Sequence, residues 1–144
     1  MLKKSVIVVE ADLVAGRQVF AVCHKMGFNV RVFRDALDAL RQAARSKPDL
    51  MVFDADLPVV GSLDFADVVS RDPQFKSVAL LAIVDESDAV ALRRCSAHGI
   101  AVAVKGAEGK ALGGNLSLLL RSYAARDSSL LRHARCNASE KGAA

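Results

Sequence analysis

Short apolar runs and stretches of helical spacing alternate along most of the chain. Four largely apolar runs and one alternating stretch, each five to seven residues long and followed by polar residues, predict β-strands. Between them, apolar residues recur every three or four positions, which predicts amphipathic helices. The strands are expected at residues 5–9, 28–33, 49–53, 78–84 and 100–104, and the helices at about 13–26, 36–45, 63–70, 85–97 and from 113 onward.

This alternation predicts the fold class, an α/β domain. Parallel strands joined by helices require right-handed crossovers, which place helices on both faces of the sheet. We therefore predict a doubly wound, five-stranded parallel sheet in the order 2-1-3-4-5. The helical residues expected to face the core are Gly16, Phe20, Cys23, Met26, Leu37, Leu40, Phe65 with Val68 or Val69, Leu116, Leu119, Leu120 and Tyr123.

The composition suits one domain with one core. The chain has 144 residues, of which 52% are hydrophobic and 25% charged, as is usual for globular proteins. No apolar run approaches the ~18 residues of a membrane span. Cys23, Cys95 and Cys136 form an odd set without a close pair, which favours reduced thiols and a cytoplasmic location.

The net charge of +4 is concentrated near the C-terminus. Residues 121–144 hold five Lys or Arg and two Asp or Glu, which leaves a net charge of +1 for residues 1–120. A nucleic-acid surface would need more basic residues and interleaved aromatics, so a nucleic-acid partner is not expected. We predict a domain over residues 1–126 and a basic C-terminal tail over residues 127–144.

The stretch from Pro48 to Pro58 carries the candidate chemistry. Residues 50–53 are continuously apolar, as in a strand that is buried on both faces, and the run is followed by Asp54 and Asp56. Carboxylates at the C-terminal ends of parallel strands lie where open α/β sheets bind their ligands. This spacing therefore indicates a functional site at the C-terminal edge of the sheet.

Two other strand ends supply charged residues to the same edge. The first strand is followed by Glu10, Ala11 and Asp12, and Asp12 is also placed to cap the next helix. The fifth strand is followed by Lys105. Because parallel strands end at one edge, we expect these residues at the same edge of the sheet as Asp54.

The order and spacing of these strand ends resemble the receiver domains of two-component response regulators, which have the CheY-like, flavodoxin-like fold. The resemblance covers about residues 4–125. It implies a non-enzymatic phosphoprotein of phosphorelay signal transduction in the cytoplasm. By this resemblance, Asp54 accepts a phosphoryl group from a histidine kinase and Lys105 binds the phosphoryl oxygens.

The resemblance also implies a Mg²⁺ site. Its ligands would be Glu10, Asp54 and the backbone carbonyl of Asp56, with the side chain of Asp56 and Asp12 as further candidates. Phosphoryl transfer gathers negative charge, which the ion and the lysine together neutralise.

Three positions depart from the family pattern. Ala11 stands where the second acid of the pair is expected and offers no ligand atom. The Thr or Ser that couples the phosphate to the fourth helix falls at Val84 or Ile83, and Gly106 follows Lys105 in place of Pro. Mg²⁺ requires one or two carboxylates in octahedral geometry, so we expect it to bind weakly or not at all.

Two signalling hypotheses remain open. One is a phosphorylatable but slow or weak receiver; the other is a pseudo-receiver that binds proteins without phosphate, which the missing hydroxyl favours slightly. Either would act on a histidine kinase or another signalling protein, or form a homodimer through the fourth helix, fifth strand and fifth helix. A nucleotide- or flavin-binding enzyme is the remote alternative, since the turn after the first strand is acidic and lacks glycine.

Two patterns in the C-terminal half have alternatives of their own. Cys95 and His98, with His133 and Cys136, have spacings that a zinc site would tolerate, although a core cysteine and a helix-end histidine are favoured. Apolar residues continue at helical spacing past the domain, so residues 116–135 are hypothesised to form one long helix with an interaction arm. The alternative is that the helix ends near Arg126.

Overall fold

The computed structural model describes residues 4–56, 62–106 and 111–126 and contains five strands and five α-helices in strict alternation. The strands are β1 (Ser5–Val9), β2 (Asn29–Phe33), β3 (Leu50–Asp54), β4 (Ala79–Asp85) and β5 (Ala101–Lys105). The helices are α1 (Leu13–Lys25), α2 (Ala36–Arg45), α3 (Ser62–Arg71), α4 (Ala89–Ala97) and α5 (Leu112–Arg126), with a short 3₁₀ helix at Pro73–Phe75.

The five strands form one parallel sheet in the order β2-β1-β3-β4-β5. The predicted fold class and strand order are therefore confirmed. The central strand β3 pairs with β1 and β4, placing Val9 beside Phe53 and Asp54 beside Ile83. On the outer side, Asp85 pairs with Lys105. This register brings the strand ends that carry charged residues to one edge.

Two hydrophobic layers cover the faces of the sheet, because successive side chains of a strand point to opposite sides. One layer joins residues such as Met51 and Phe53 to α2, α3 and α4. The other joins Leu50 and Val52 to α1 and α5 and ends in the buried Tyr123. All of β3 is buried, which confirms the strand that its continuous apolar run predicted.

The predicted inward faces of α1 and α2 were partly wrong. Phe20 is 39% exposed and Leu37 is 49% exposed, whereas Val19 and Ala39 are fully buried. The buried face of α2 consists of alanines, and α1 contributes Gly16 to its own. Such small residues let the helix backbones approach the sheet closely, so the large apolar side chains lie at the margins. In α3, Val69 is buried and Val68 is not.

Two predicted helix starts shift by a few residues. Helix α4 begins at Ala89, because Asp85 completes β4 and Asp88 caps the helix by accepting a hydrogen bond from the Ala91 N–H at 3.0 Å. Helix α5 begins at Leu112, so the two glycines expected to open it lie in its first turn. No helix in the described ranges is long and apolar enough to span a bilayer.

The C-terminal hypotheses fall largely outside the described residues. Helix α5 is described to Arg126. The tail over residues 127–144, the second half of the hypothesised long helix, and the pair His133 and Cys136 lie beyond it. The domain boundary at residue 126 therefore stays a prediction.

Candidate functional site

Backbone hydrogen bonds fix the three strand ends that form the site. The Glu10 N–H continues the sheet by donating to the Phe33 carbonyl at 2.9 Å. Asp54 is the last residue of β3, and the next N–H, of Ala55, donates to the Ile83 carbonyl at 2.8 Å. Lys105 is the last residue of β5. The positions of these three side chains are thus set by sheet pairing.

The carboxylate of Asp54 is bound through both oxygens. Its Oδ2 lies 3.3 Å from the Lys105 Nζ, and its Oδ1 accepts a hydrogen bond from the Asp56 N–H at 2.8 Å. Only 8% of the Asp54 side chain and 25% of the Lys105 side chain are exposed. The ion pair is therefore largely shielded from solvent, and removing one partner would leave the other charge buried and unpaired.

Glu10 is the second buried acid of the site. It is 3% exposed, and its Oε1 accepts a hydrogen bond from the Asp12 N–H at 3.1 Å. Burial raises the pKa of Glu10 to about 8, with further contributions from the hydrogen bond and the charge of Asp54. The Asp12 N–H and the Lys105 charge act against these effects and only partly offset them. At neutral pH, the protonated form of Glu10 is therefore favoured.

The proton and the lysine together balance the charge of the site. Burial works against a charged Lys105, but the Asp54 carboxylate, with Glu10 and Asp85, raises the pKa of the ammonium overall. The Oε2 atom of Glu10 is buried and has no hydrogen-bond partner among the described residues. One carboxylate, one carboxylic acid and one ammonium leave the cluster close to neutral.

Asp12, Val84 and Ile83, which lie where the sequence departs from the receiver pattern, have structural roles. Asp12 caps α1, since its Oδ1 accepts a hydrogen bond from the Val14 N–H at 2.8 Å. Val84 is 1% exposed and belongs to the hydrophobic layer beneath α4, together with Ala91 and Cys95. Ile83 is equally buried but lies in the opposite layer. Of the two switch candidates, Val84 is thus the one on the side of α4.

The structure gives a poor fit to a resident Mg²⁺ ion. Among the described residues, no group of three or more His, Cys, Asp or Glu side chains is arranged to hold a metal. Glu10 and Asp54 are the two buried acids at the edge, and each already has a partner. An ion would have to displace both the proton on Glu10 and Lys105. Within the described ranges, Cys95 is also a poor candidate for a zinc ligand, because it is buried in the core.

Sequence reasoning missed two residues at this edge. Asp85 pairs in register with Lys105 and helps to raise its pKa. The Arg34 Nε donates to the Ala11 carbonyl at 3.2 Å, which ties the end of β2 to the turn after β1. Both residues lie at or just past a strand end. The rule that selected Asp54 and Lys105 would have found them if it had been applied to all five strands.

Comparison with solved structures places this architecture among receivers. CheY4, a chemotaxis response regulator of Vibrio cholerae, superposes with a TM-score of 0.72 at 20% identity over 84% of this chain and 98% of that one. A response regulator from Chloroflexus aurantiacus gives 0.76 at 19% identity over 87% and 100%. The phosphorylated cyanobacterial phytochrome response regulator RcpA gives 0.74 at 19% identity over 85% and 95%.

The chain therefore has the CheY-like receiver fold over nearly the full length of these domains. No model of a known protein family matches the sequence, and no curated protein does. At this level of identity the fold is what the comparison establishes, and the function has to be argued from the site.

Proposed function

We propose that this protein is a non-enzymatic signalling receiver that acts by binding other proteins, and that its output does not depend on phosphorylation of Asp54. The observation that carries the proposal is the buried Val84 beneath α4. The methyl groups of Val84 cannot accept or donate a hydrogen bond. A phosphoryl group on Asp54 would therefore have no hydrogen bond at this position through which to shift α4.

The charges at the sheet edge support the same proposal. Phosphoryl transfer to a carboxylate requires cations to neutralise the incoming negative charge. Here Lys105 is already paired with Asp54, and Ala11 adds no acid to recruit a metal ion. In the resting site, protonation of Glu10 lowers the negative charge at this edge instead.

A phosphorylatable receiver remains the second candidate, because one observation favours it. Asp54 and Lys105 occupy the ends of β3 and β5 and are in contact, as phosphoryl acceptance would require. RcpA, a structural neighbour, is described as phosphorylated. In this alternative, Glu10 would lose its proton and Lys105 would move from the carboxylate to the phosphoryl oxygens.

The proposed partners are a histidine kinase, another signalling protein or a second copy of the chain. Helices α4 and α5 each expose an apolar side chain, with Val90 at 53% and Leu118 at 64%. One structural neighbour is the receiver domain of a histidine kinase from Syntrophus aciditrophicus. We propose the surface formed by α4, β5 and α5 as the contact site for such a partner.

Mass spectrometry after incubation with Mg²⁺ and acetyl phosphate separates the two candidates. The proposal expects little or no gain of a phosphoryl group on the intact protein. The matched control is Asp54→Asn, which keeps the shape of the side chain but cannot form the acyl phosphate. A high phosphoryl occupancy in the natural protein that disappears in Asp54→Asn would instead favour the second candidate.

A further inference from the structure

A cavity of about 190 Å³ lies between α1 and the edge strand β2 and borders the site at Glu10 and Asp12. Its walls are formed by Leu13, Gly16, Phe20 and Val32, and its surface is almost entirely apolar. Three of these side chains are themselves partly exposed: Leu13 at 55%, Phe20 at 39% and Val32 at 39%. The cavity thus presents open apolar surface that the core does not use.

Two arginines complete the lining and give the cavity a charged mouth. Arg17 belongs to α1, Arg34 follows β2, and both are exposed. Because the cavity surface is apolar, their methylene stems form the wall and their guanidinium groups reach solvent. Neither arginine has an ion-pair partner among the described residues, and the one hydrogen bond of Arg34 uses its Nε.

Two acids, Glu10 and Asp12, also line the cavity, and each accepts a hydrogen bond from a backbone N–H. The Asp12 Oδ1 accepts from the Val14 N–H at 2.8 Å, and the Glu10 Oε1 accepts from the Asp12 N–H at 3.1 Å. Asp12 keeps its negative charge while it accepts a hydrogen bond, but the two guanidinium groups outnumber it at the mouth. An apolar interior with guanidinium donors at its opening is complementary to a molecule that joins a hydrophobic body to an anion.

We propose that this cavity binds a small amphipathic carboxylate, with its apolar body against Phe20 and Val32 and its carboxylate on the guanidinium groups of Arg17 and Arg34. The size of the cavity sets the size of the ligand. An apolar cavity of ~150 Å³ accommodates benzene, whereas drug-sized ligands need roughly 300–1,000 Å³. One ring or a short alkyl chain therefore fits here.

Such a ligand would contact Glu10, which is also part of the functional site. A methyl group placed on Gly16 would lie 3.8 Å from the Glu10 Cγ, so the methylenes of Glu10 form part of the cavity floor. Binding would therefore be sensed at Glu10 and, through it, at Asp54. This inference rests on the cavity and not on the proposed function. If Asp54 proved to be phosphorylated, the proposed function would fail but the ligand-binding proposal would still stand.

Titration of the ¹⁵N-labelled protein with phenylacetate tests the proposal. We expect saturable amide shifts centred on Gly16, Phe20 and Val32, with smaller shifts at Asp54. Phenylacetamide has the same shape without the charge and should bind at least tenfold more weakly. Acetate, which has the charge without the ring, should give no saturable shifts.

Variants of the lining provide the matched controls. The double change Arg17→Gln and Arg34→Gln alters exposed side chains and should weaken phenylacetate binding at least tenfold, with little change for phenylacetamide. Gly16→Leu should fill the cavity and abolish binding, provided that its circular dichroism spectrum matches that of the natural protein. Equal binding of phenylacetate and its amide, undiminished binding by the arginine variant, or no saturable shifts at the solubility limit would each overturn the proposal.

Discussion

The proton on Glu10 makes the free energy of unfolding depend on pH. A single substitution at this position can measure that dependence. The pKa of Glu10 rises from its ordinary value of 4.5 to about 8 in the folded protein, chiefly through burial. Between these values the folded state binds a proton that the unfolded state has released. The free energy of unfolding therefore falls as pH rises through this window, by up to about 1.4 kcal/mol per pH unit.

Glu10→Gln should remove this dependence without disturbing the site. A glutamine amide can donate a hydrogen bond toward Asp54, as the protonated acid does, while its oxygen still accepts from the Asp12 N–H. From about pH 5.5 to pH 8, Glu10 should lower the stability of the natural protein by about 3 kcal/mol, allowing for partial ionisation near its pKa. The variant should lack this contribution, so its stability relative to the natural protein should grow over the same interval.

Urea unfolding followed by circular dichroism at several pH values measures both proteins under identical conditions. Contributions from the three histidines and the exposed acids are common to both and cancel in the difference. Asp56→Asn, which removes an exposed acid from the same edge but keeps Glu10, should retain the natural slope. Parallel stability curves for the natural protein and Glu10→Gln would show that Glu10 is ionised in the folded protein, which would contradict the raised pKa of Glu10.

Three further substitutions test individual parts of the account. Ala11→Asp should raise the affinity for Mg²⁺ because it adds a carboxylate beside Glu10; identical Mg²⁺ titrations would show that position 11 does not face the site. Val84→Thr should lower the free energy of unfolding by about 1 to 3 kcal/mol in urea, because it buries a hydroxyl in an apolar layer. Gly16→Ala should raise it by about 1 kcal/mol, since alanine favours the helix and its methyl group would meet neighbours at an ordinary 3.8 Å; a destabilised variant would contradict that.

The fold followed from the sequence because the apolar periodicity of the strands was unambiguous. Continuous apolar runs such as residues 50–53 mark strands buried on both faces, and their alternation with helices allows few topologies. The inward faces of α1 and α2 were harder to predict, because buried positions there are held by smaller residues such as Val19 and Ala39. Hydrophobicity alone assigns such positions to large residues, and close helix–sheet approach is a property of the whole fold.

The site was predictable in outline and not in its electrostatics. Strand ends placed Glu10, Asp54 and Lys105 at one edge, and the structure brings these three side chains together. The sequence could not show that Glu10 is buried deeply enough to keep a proton, because desolvation depends on atoms contributed by the entire edge. For the same reason, the sequence could not show that Lys105 forms an ion pair with Asp54.

The most direct test of the central claim is the response of α4 to a phosphoryl mimic on Asp54. Proton–nitrogen spectra of the labelled protein would be recorded with and without Mg²⁺ and beryllofluoride, with Asp54→Asn as the control. The account predicts that the amide signals of α4, from Ala89 to Ala97, stay in place even if signals near Asp54 move, because Val84 offers no hydroxyl to the added group. Large shifts along α4 that are absent in Asp54→Asn would contradict it.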